Sequence, residues 1–176
     1  AKIAKALFKM TKKDLKQINS GSLEKIVVGI GVGKLRNQAQ FEEKILPEIT
    51  KELALITGQK PAPRQAKKSI AGFKIREGDI VGLQITLRGR RMNDFLSRLI
   101  HVVFPRVKDF KGINLKNIDR VGNLNVGFRE QFVFPEVSAE TSRVSFGLQA
   151  TFVPYIKKRD QAIELYRRLG LPLKKS

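Results

Sequence analysis

Hydrophobic and polar positions alternate along this chain with two different periods, and each change of period marks an element. Over Leu23–Gly33, Ile26, Val28, Ile30 and Val32 share one parity, and Lys25, Val27, Gly29, Gly31 and Gly33 share the other. This predicts a strand with one apolar face. A second alternation runs over Ile80–Arg88, with Val81, Leu83, Ile85 and Leu87 inward and Gly82, Gln84, Thr86 and Arg88 outward. Two more follow. Leu124, Val126, Phe128, Phe132 and Phe134 oppose Asn125, Gly127, Arg129, Gln131 and Val133. Val144, Phe146, Leu148, Ala150 and Phe152 oppose Ser145, Gly147, Gln149 and Thr151. Pro61–Lys68 reads as a short edge strand, because its two prolines cannot donate to a central ladder.

Helical spacing takes over elsewhere. Met92, Phe95, Leu96, Leu99, Ile100 and Val103 form the strongest apolar stripe, over Arg91–Phe104, with Pro105 as the stop. Phe41, Ile45, Ile49, Leu53 and Ile56 carry a helix across Leu35–Thr57. Pro47 within it predicts a kink or a late start, and Gly58 ends it. Asp160–Leu169 reads as a last helix, with Asp160 as N-cap and Gly170 and Pro172 as stop signals. Ala1–Ile18 is a basic, loosely amphipathic helix. Ser69–Asp79 and Arg106–Asn123 are connections. The mixture predicts one α+β domain over residues 1–176, an antiparallel sheet with helices packed on one face and the other face open.

The open face changes the picture from fold to partner. Its outward rows hold Gly29, Gly31, Gly33, Gln84, Thr86, Arg88, Asn125, Gly127, Arg129, Ser145, Gly147, Gln149 and Thr151. This set is small, polar and without aromatics. It cannot stack splayed bases, but it lets a nucleic-acid backbone approach and hydrogen-bond. A solvated sheet face is the plain alternative, and charge tips the balance. With 35 Lys+Arg against 16 Asp+Glu, the 176 residues carry a formal net charge of +19. That excess calls for a polyanionic partner, with nucleic acid first and an anionic membrane surface second. Basic pairs recur along the chain, among them Lys67-Lys68, Lys157-Lys158-Arg159 and Arg167-Arg168, and their number is the signal.

Several chemistries are excluded. The chain has no cysteine and a single histidine, His101, so thiolate metal sites, disulfides and cysteine nucleophiles are out and no metal cluster is expected. No apolar run reaches the roughly 18 residues of a membrane span. The N-terminal stretch lacks the apolar core of a signal peptide, which predicts a cytoplasmic protein. Gly29-Ile30-Gly31-Val32-Gly33-Lys34 invites a nucleotide-loop reading. The dinucleotide template needs glycine where Lys34 stands, and the Walker template fails at Val28 and Leu35. No acid/base pair or Ser–His arrangement is recognisable, so no catalytic residue and no cofactor are expected.

Six stretches, in order, carry a family resemblance. They are Glu24–Val27 leading to Gly31-Val32-Gly33, Ile56–Pro61, Ala66–Arg76, Thr86–Met92, Pro105–Gly112 and Gly127–Glu136. From about Leu23 onward the chain resembles the bacterial large-subunit ribosomal protein L5 family, which binds 5S rRNA. The resemblance implies an α+β structural component of the central protuberance. It implies that the sheet side holds a loop of 5S rRNA, with Gln59 and Thr86 at positions that touch RNA. Lys34, Lys60, Arg64, Lys67, Lys68 and Arg88 complete the expected rRNA-contact set. Residues 69–82 would form a protruding basic loop that reaches the elbow of the P-site tRNA through Gly72, Phe73, Lys74, Ile75, Arg76 and Gly78. Neighbouring large-subunit proteins are implied as partners. So is a small-subunit head protein across an intersubunit bridge, placed by analogy on Arg106–Asn123 and Glu136–Arg143. No membrane partner is implied. Gly29 replaces the family's usual Asn, Ala139 stands near a usual Tyr, and residues 1–22 diverge. Two other readings remain: a peripheral membrane-surface protein using Ala1–Asn19, and a nucleotide-dependent enzyme using Gly29–Lys34. Neither accounts for the six stretches.

Overall fold

The computed structural model describes residues 22–33, 35–38, 40–140 and 142–174. The expected helix over Ala1–Ile18 and the candidate Lys34 lie outside them. Five strands form one open antiparallel sheet: β1 (Leu23–Gly31), β2 (Ala62–Gln65), β3 (Ile80–Leu87), β4 (Leu124–Phe128) and β5 (Leu148–Pro154), in the order β2-β3-β1-β5-β4. The helices are α1 (Leu46–Thr57), α2 (Gly89–Arg98) and α3 (Arg159–Arg168). This is the α+β class that the two periods predict. Packing groups the chain into two compact units. Among the described residues, the first comprises 22–26, 87–126 and 150–174, and the second those within 27–86 and 127–149.

The second unit is built on Val28, Ile30 and Val32 of the first alternation, Leu83 and Ile85 of β3, and Ile49, Leu53 and Ile56 of α1, all buried. The helical spacing over Leu35–Thr57 does not give one helix. A 3-10 turn at Leu35–Asn37 and a π-helical turn at Phe41–Ile45 precede α1. Pro47 sits in the first turn of α1, where its missing N–H needs no acceptor, so the late start is the outcome realised. Gly58 closes the helix in the left-handed region (φ 69°), with its N–H on the Ala54 carbonyl. The edge strand β2 is exposed throughout and pairs antiparallel with β3, Ala62 opposite Gln84 and Arg64 opposite Gly82.

The third alternation is corrected. It reads as a strand through Phe134, but β4 ends at Phe128, and Gln131–Val133 forms a 3-10 turn. Gln131, assigned to the outward row, is fully buried. Its Nε2 donates to the Val144 carbonyl at 2.6 Å and lies 3.3 Å from both Ser142 Oγ and Glu52 Oε2. Its Oε1 accepts the Phe146 N–H at 2.9 Å. The side-chain amide thus takes the place of a ladder for residues 142–146, which is why β5 begins only at Leu148.

In the first unit, Met92, Phe95, Leu96, Leu99, Ile100 and Val103 are buried as the stripe requires. The helix nevertheless passes Pro105. A π-helical turn at Leu99–Val103 widens it, the Phe104 N–H reaches the Leu99 carbonyl, and a last turn at Phe104–Arg106 carries the proline ring. α3 begins one residue earlier than expected. Lys158 is its N-cap without a side-chain bond, and Asp160 lies in the first turn, where its charge complements the helix dipole. The Tyr166 hydroxyl, buried between β5 and the 119–123 turn, donates toward the carbonyls of Gly122 (2.7 Å) and Phe152 (3.1 Å). Burial pushes its pKa well above the ordinary tyrosine value.

Candidate nucleic-acid interface

The C-terminal end of α1 positions the first expected contact. The buried Thr57 hydroxyl donates to the Leu53 carbonyl at 2.7 Å and accepts the Gln59 N–H at 3.4 Å. This turns the chain so that Gln59 Nε2 lies 3.5 Å from the Thr86 carbonyl on β3. The fold therefore sets these two expected contact residues side by side, both half-buried, although 27 positions separate them. Pro61 is buried and seats the chain before the edge strand. On the hairpin of β2 and β3, Arg64 Nε donates to Gln84 Oε1 at 2.6 Å, which fixes the guanidinium along the sheet edge.

Lys60, Arg64, Lys67 and Lys68 are all exposed. From Gln59 to Arg76 the chain contains no acidic residue. The hairpin and loop together are a charged polar edge suited to phosphates and sugar hydroxyls. Arg88 belongs to the first unit and sits differently: it donates to the Glu24 carbonyl at 3.2 Å and faces the Glu24 carboxylate at 3.6 Å.

The loop after β2 is folded rather than open. An Ile70–Ile75 bridge closes a tight tip containing a 3-10 turn at Ala71–Phe73, and Lys74 takes the left-handed conformation (φ 53°). Gly72, Phe73, Lys74, Arg76 and Gly78 are exposed and Ile75 half-buried; Gly72, Phe73 and Lys74 lie in this tip, Ile75 closes it, and Arg76 and Gly78 lie at the base of the loop. Phe73 is 70% exposed, an apolar ring presented to solvent among cations.

The base of this loop is clamped by a residue that sequence reasoning missed. The Asp79 carboxylate pairs with the Arg36 guanidinium and accepts the Arg76 N–H. The Ala66 N–H bonds the Asp79 carbonyl (2.8 Å), and the Gly78 N–H bonds the Ala66 carbonyl (3.0 Å). The hydrogen bond from Arg36, helped by the Arg76 N–H, holds the Asp79 carboxyl below the usual aspartate range. Arg36 comes from the 3-10 turn after β1, 43 positions away, so no local pattern signals the pair.

The glycine run after Val28 is not a phosphate loop. Gly29 and Gly31 lie within β1, and the Val32 N–H bonds the Val81 carbonyl at 2.9 Å. Among the described residues, no group of His, Cys, Asp or Glu is placed to hold a metal ion, and no helix is long and apolar enough to cross a membrane. His101 is exposed.

Residues 80–173 match the model of the C-terminus of the ribosomal L5 family, and residues 17–76 match that of ribosomal protein L5. The chain is 44% identical over 150 residues to large ribosomal subunit protein uL5 of Leptospira biflexa serovar Patoc, covering 85% of this chain and 80% of that protein. It is 48% identical over 153 residues to the protein of the same name from Rubrobacter xylanophilus, covering 87% of this chain and 83% of that one. The corresponding protein of Limosilactobacillus fermentum is 46% identical over 153 residues, with the same shares.

Proposed function

The chain belongs to the ribosomal protein L5 family, and on that premise we propose that its β2–β3 hairpin binds 5S rRNA while the loop beyond it reaches the P-site tRNA. It is a structural, non-enzymatic constituent of the large ribosomal subunit and works where ribosomes do, in the cytoplasm. The observation that carries the RNA reading is the edge formed by Gln59, Thr86, Arg64 and Gln84, continued by a run of cations with no acidic residue from Gln59 to Arg76. On this reading Lys60, Arg64, Lys67 and Lys68 neutralise phosphates and supply most of the affinity. Gln59 and Thr86 fix register and orientation. Phe73, Lys74 and Arg76 present the ring and charges that meet a tRNA elbow. Loops 106–123 and 136–143 face a small-subunit head protein across the subunit interface.

The test is a pair of variants measured against 5S rRNA. Thr86→Val keeps the shape and removes one hydroxyl, and loss of one hydrogen bond, about 1 kcal/mol, corresponds to roughly fivefold weaker binding. Thermal unfolding should move little, because Thr86 is only half-buried. Gln59→Ala should behave alike. Unchanged affinity in both variants would remove the hairpin from the 5S site.

A further inference from the structure

Between Phe128, where β4 ends, and Leu148, where β5 begins, the described chain forms no strand, so no ladder holds it in place. Its middle is a compact turn in the second unit. The Val137 N–H bonds the Phe134 carbonyl at 3.2 Å, and the Ser142 N–H bonds the Ser138 carbonyl at 3.1 Å. The Ser138 hydroxyl accepts the Glu140 N–H at 3.3 Å. Phe134 and Val137 are buried and seat the near side of the turn in the core. Ser138, Ala139 and Glu140 are exposed and form its tip.

The far side of the turn is held by side chains instead. Gln131 Nε2 and Ser142 Oγ both reach the Val144 carbonyl, at 2.6 and 3.0 Å. One residue earlier, the Arg143 N–H is accepted by Glu48 Oε1 at 2.9 Å, across 95 positions of sequence. Glu48 stands in the first turn of α1, next to Ile49, which is fully buried together with Leu53 and Ile56. The acceptor is therefore carried by a packed helix, while the donor belongs to a segment without a ladder. A single hydrogen bond in that setting adds little to global stability, and its effect is local. Glu48 could also serve α1 alone, as an acidic group at the positive end of the helix dipole. The two roles need different atoms. A dipole partner needs the negative charge, whereas a tether needs only an acceptor oxygen at that place.

We propose that Glu48 is a positioning residue: by accepting the Arg143 N–H it tethers the far side of the turn to α1 and fixes the tip Ser138–Glu140 for contact across the subunit interface. A tip held in one place loses less conformational entropy on meeting its partner, so the tether acts by pre-organisation. What the tip does rests on the reading that places the intersubunit contact on residues 136–143. The tether itself rests on the Glu48–Arg143 bond.

The test compares the full chain with Glu48→Ala and Glu48→Gln. Tryptic cleavage after Arg143 reads the tether, and cleavage after Lys74 and the Tm report the rest of the fold. Light scattering of large subunits carrying each protein, mixed with small subunits at limiting magnesium, reads the contact. Glu48→Ala is expected to be cut after Arg143 about fivefold faster, the factor for one lost hydrogen bond, and to weaken subunit association. Its Tm and its cleavage after Lys74 should match wild type. Glu48→Gln keeps an acceptor oxygen without the charge, so it should match wild type in both readouts. Cleavage of Glu48→Ala at the wild-type rate would overturn the tether, as would faster cleavage at Lys74 and Arg143 alike. Glu48→Gln behaving like Glu48→Ala would overturn it too, by assigning Glu48 to the helix dipole. Faster cleavage after Arg143 with unchanged subunit association would uphold the tether and overturn instead the placing of the intersubunit contact on residues 136–143.

Discussion

Asp79 shows how one side chain organises a segment. Its carboxylate joins Arg36, the Arg76 N–H and, through its own backbone, Ala66. Because its pKa is lowered in the fold, the clamp contributes above the ordinary aspartate pKa. It is lost as pH falls through the lowered value. Asp79→Asn should loosen the loop at neutral pH without unfolding the protein. We expect faster tryptic cleavage after Lys74 and Arg76 at nearly constant Tm, and unchanged cleavage would show that the clamp does not hold the loop. Gln131 is the second such residue. Gln131→Ala takes the acceptor from the buried Phe146 N–H and leaves the Val144 carbonyl with the Ser142 hydroxyl alone of these two donors. The expected loss is about 3 kcal/mol in urea unfolding, and a loss under 1 kcal/mol would contradict its role. Neither residue was legible in the sequence. Alternation assigns Gln131 a parity, and parity does not register an amide that can satisfy a turn. Asp79 and Arg36 are too far apart in sequence for any local pattern to pair them.

At the scale of elements, what burial alone decides was legible. β1 and β3, the stripe of α2, the edge position of the proline-bearing β2 and the Gly58 stop all follow from period and turn chemistry. What depends on competition between local options was not. Pro105 sits in a last turn at Phe104–Arg106, after the π-helical turn, instead of ending the helix before it, and β4 stops at Phe128 because Gln131 offers the following chain other partners. The hairpin and the loop are separate in their hydrogen bonding: Arg64 and Gln84 brace the hairpin, while Asp79 closes the loop. Replacing Ala71–Lys74 by two glycines should therefore leave 5S rRNA binding intact and weaken protection of P-site tRNA on assembled ribosomes. Loss of 5S binding in that variant would place the 5S contact on the loop instead.

For the whole molecule, the proposed RNA binding assigns the net charge of +19 to the scale of affinity and the polar edge to selectivity. The family was legible in six stretches that resemble it in order along the chain. The ion pairs of Glu24 with Lys25, Arg88 and Lys157 among the described residues were not, because Arg88 and Lys157 come from distant segments. Charge and polar edge make different demands on salt. Counterion release over roughly 6–10 phosphates lowers affinity about 10³–10⁵-fold between 50 and 200 mM salt for any RNA. On the proposed reading, contacts from Gln59 and Thr86 would add a preference that salt does not erase. The most direct measurement is a gel-shift titration with 5S rRNA and a scrambled RNA of equal length at both salt concentrations. The account predicts a preference for 5S rRNA that persists at the higher salt. Equal binding to both RNAs, collapsing together as salt rises, would contradict it.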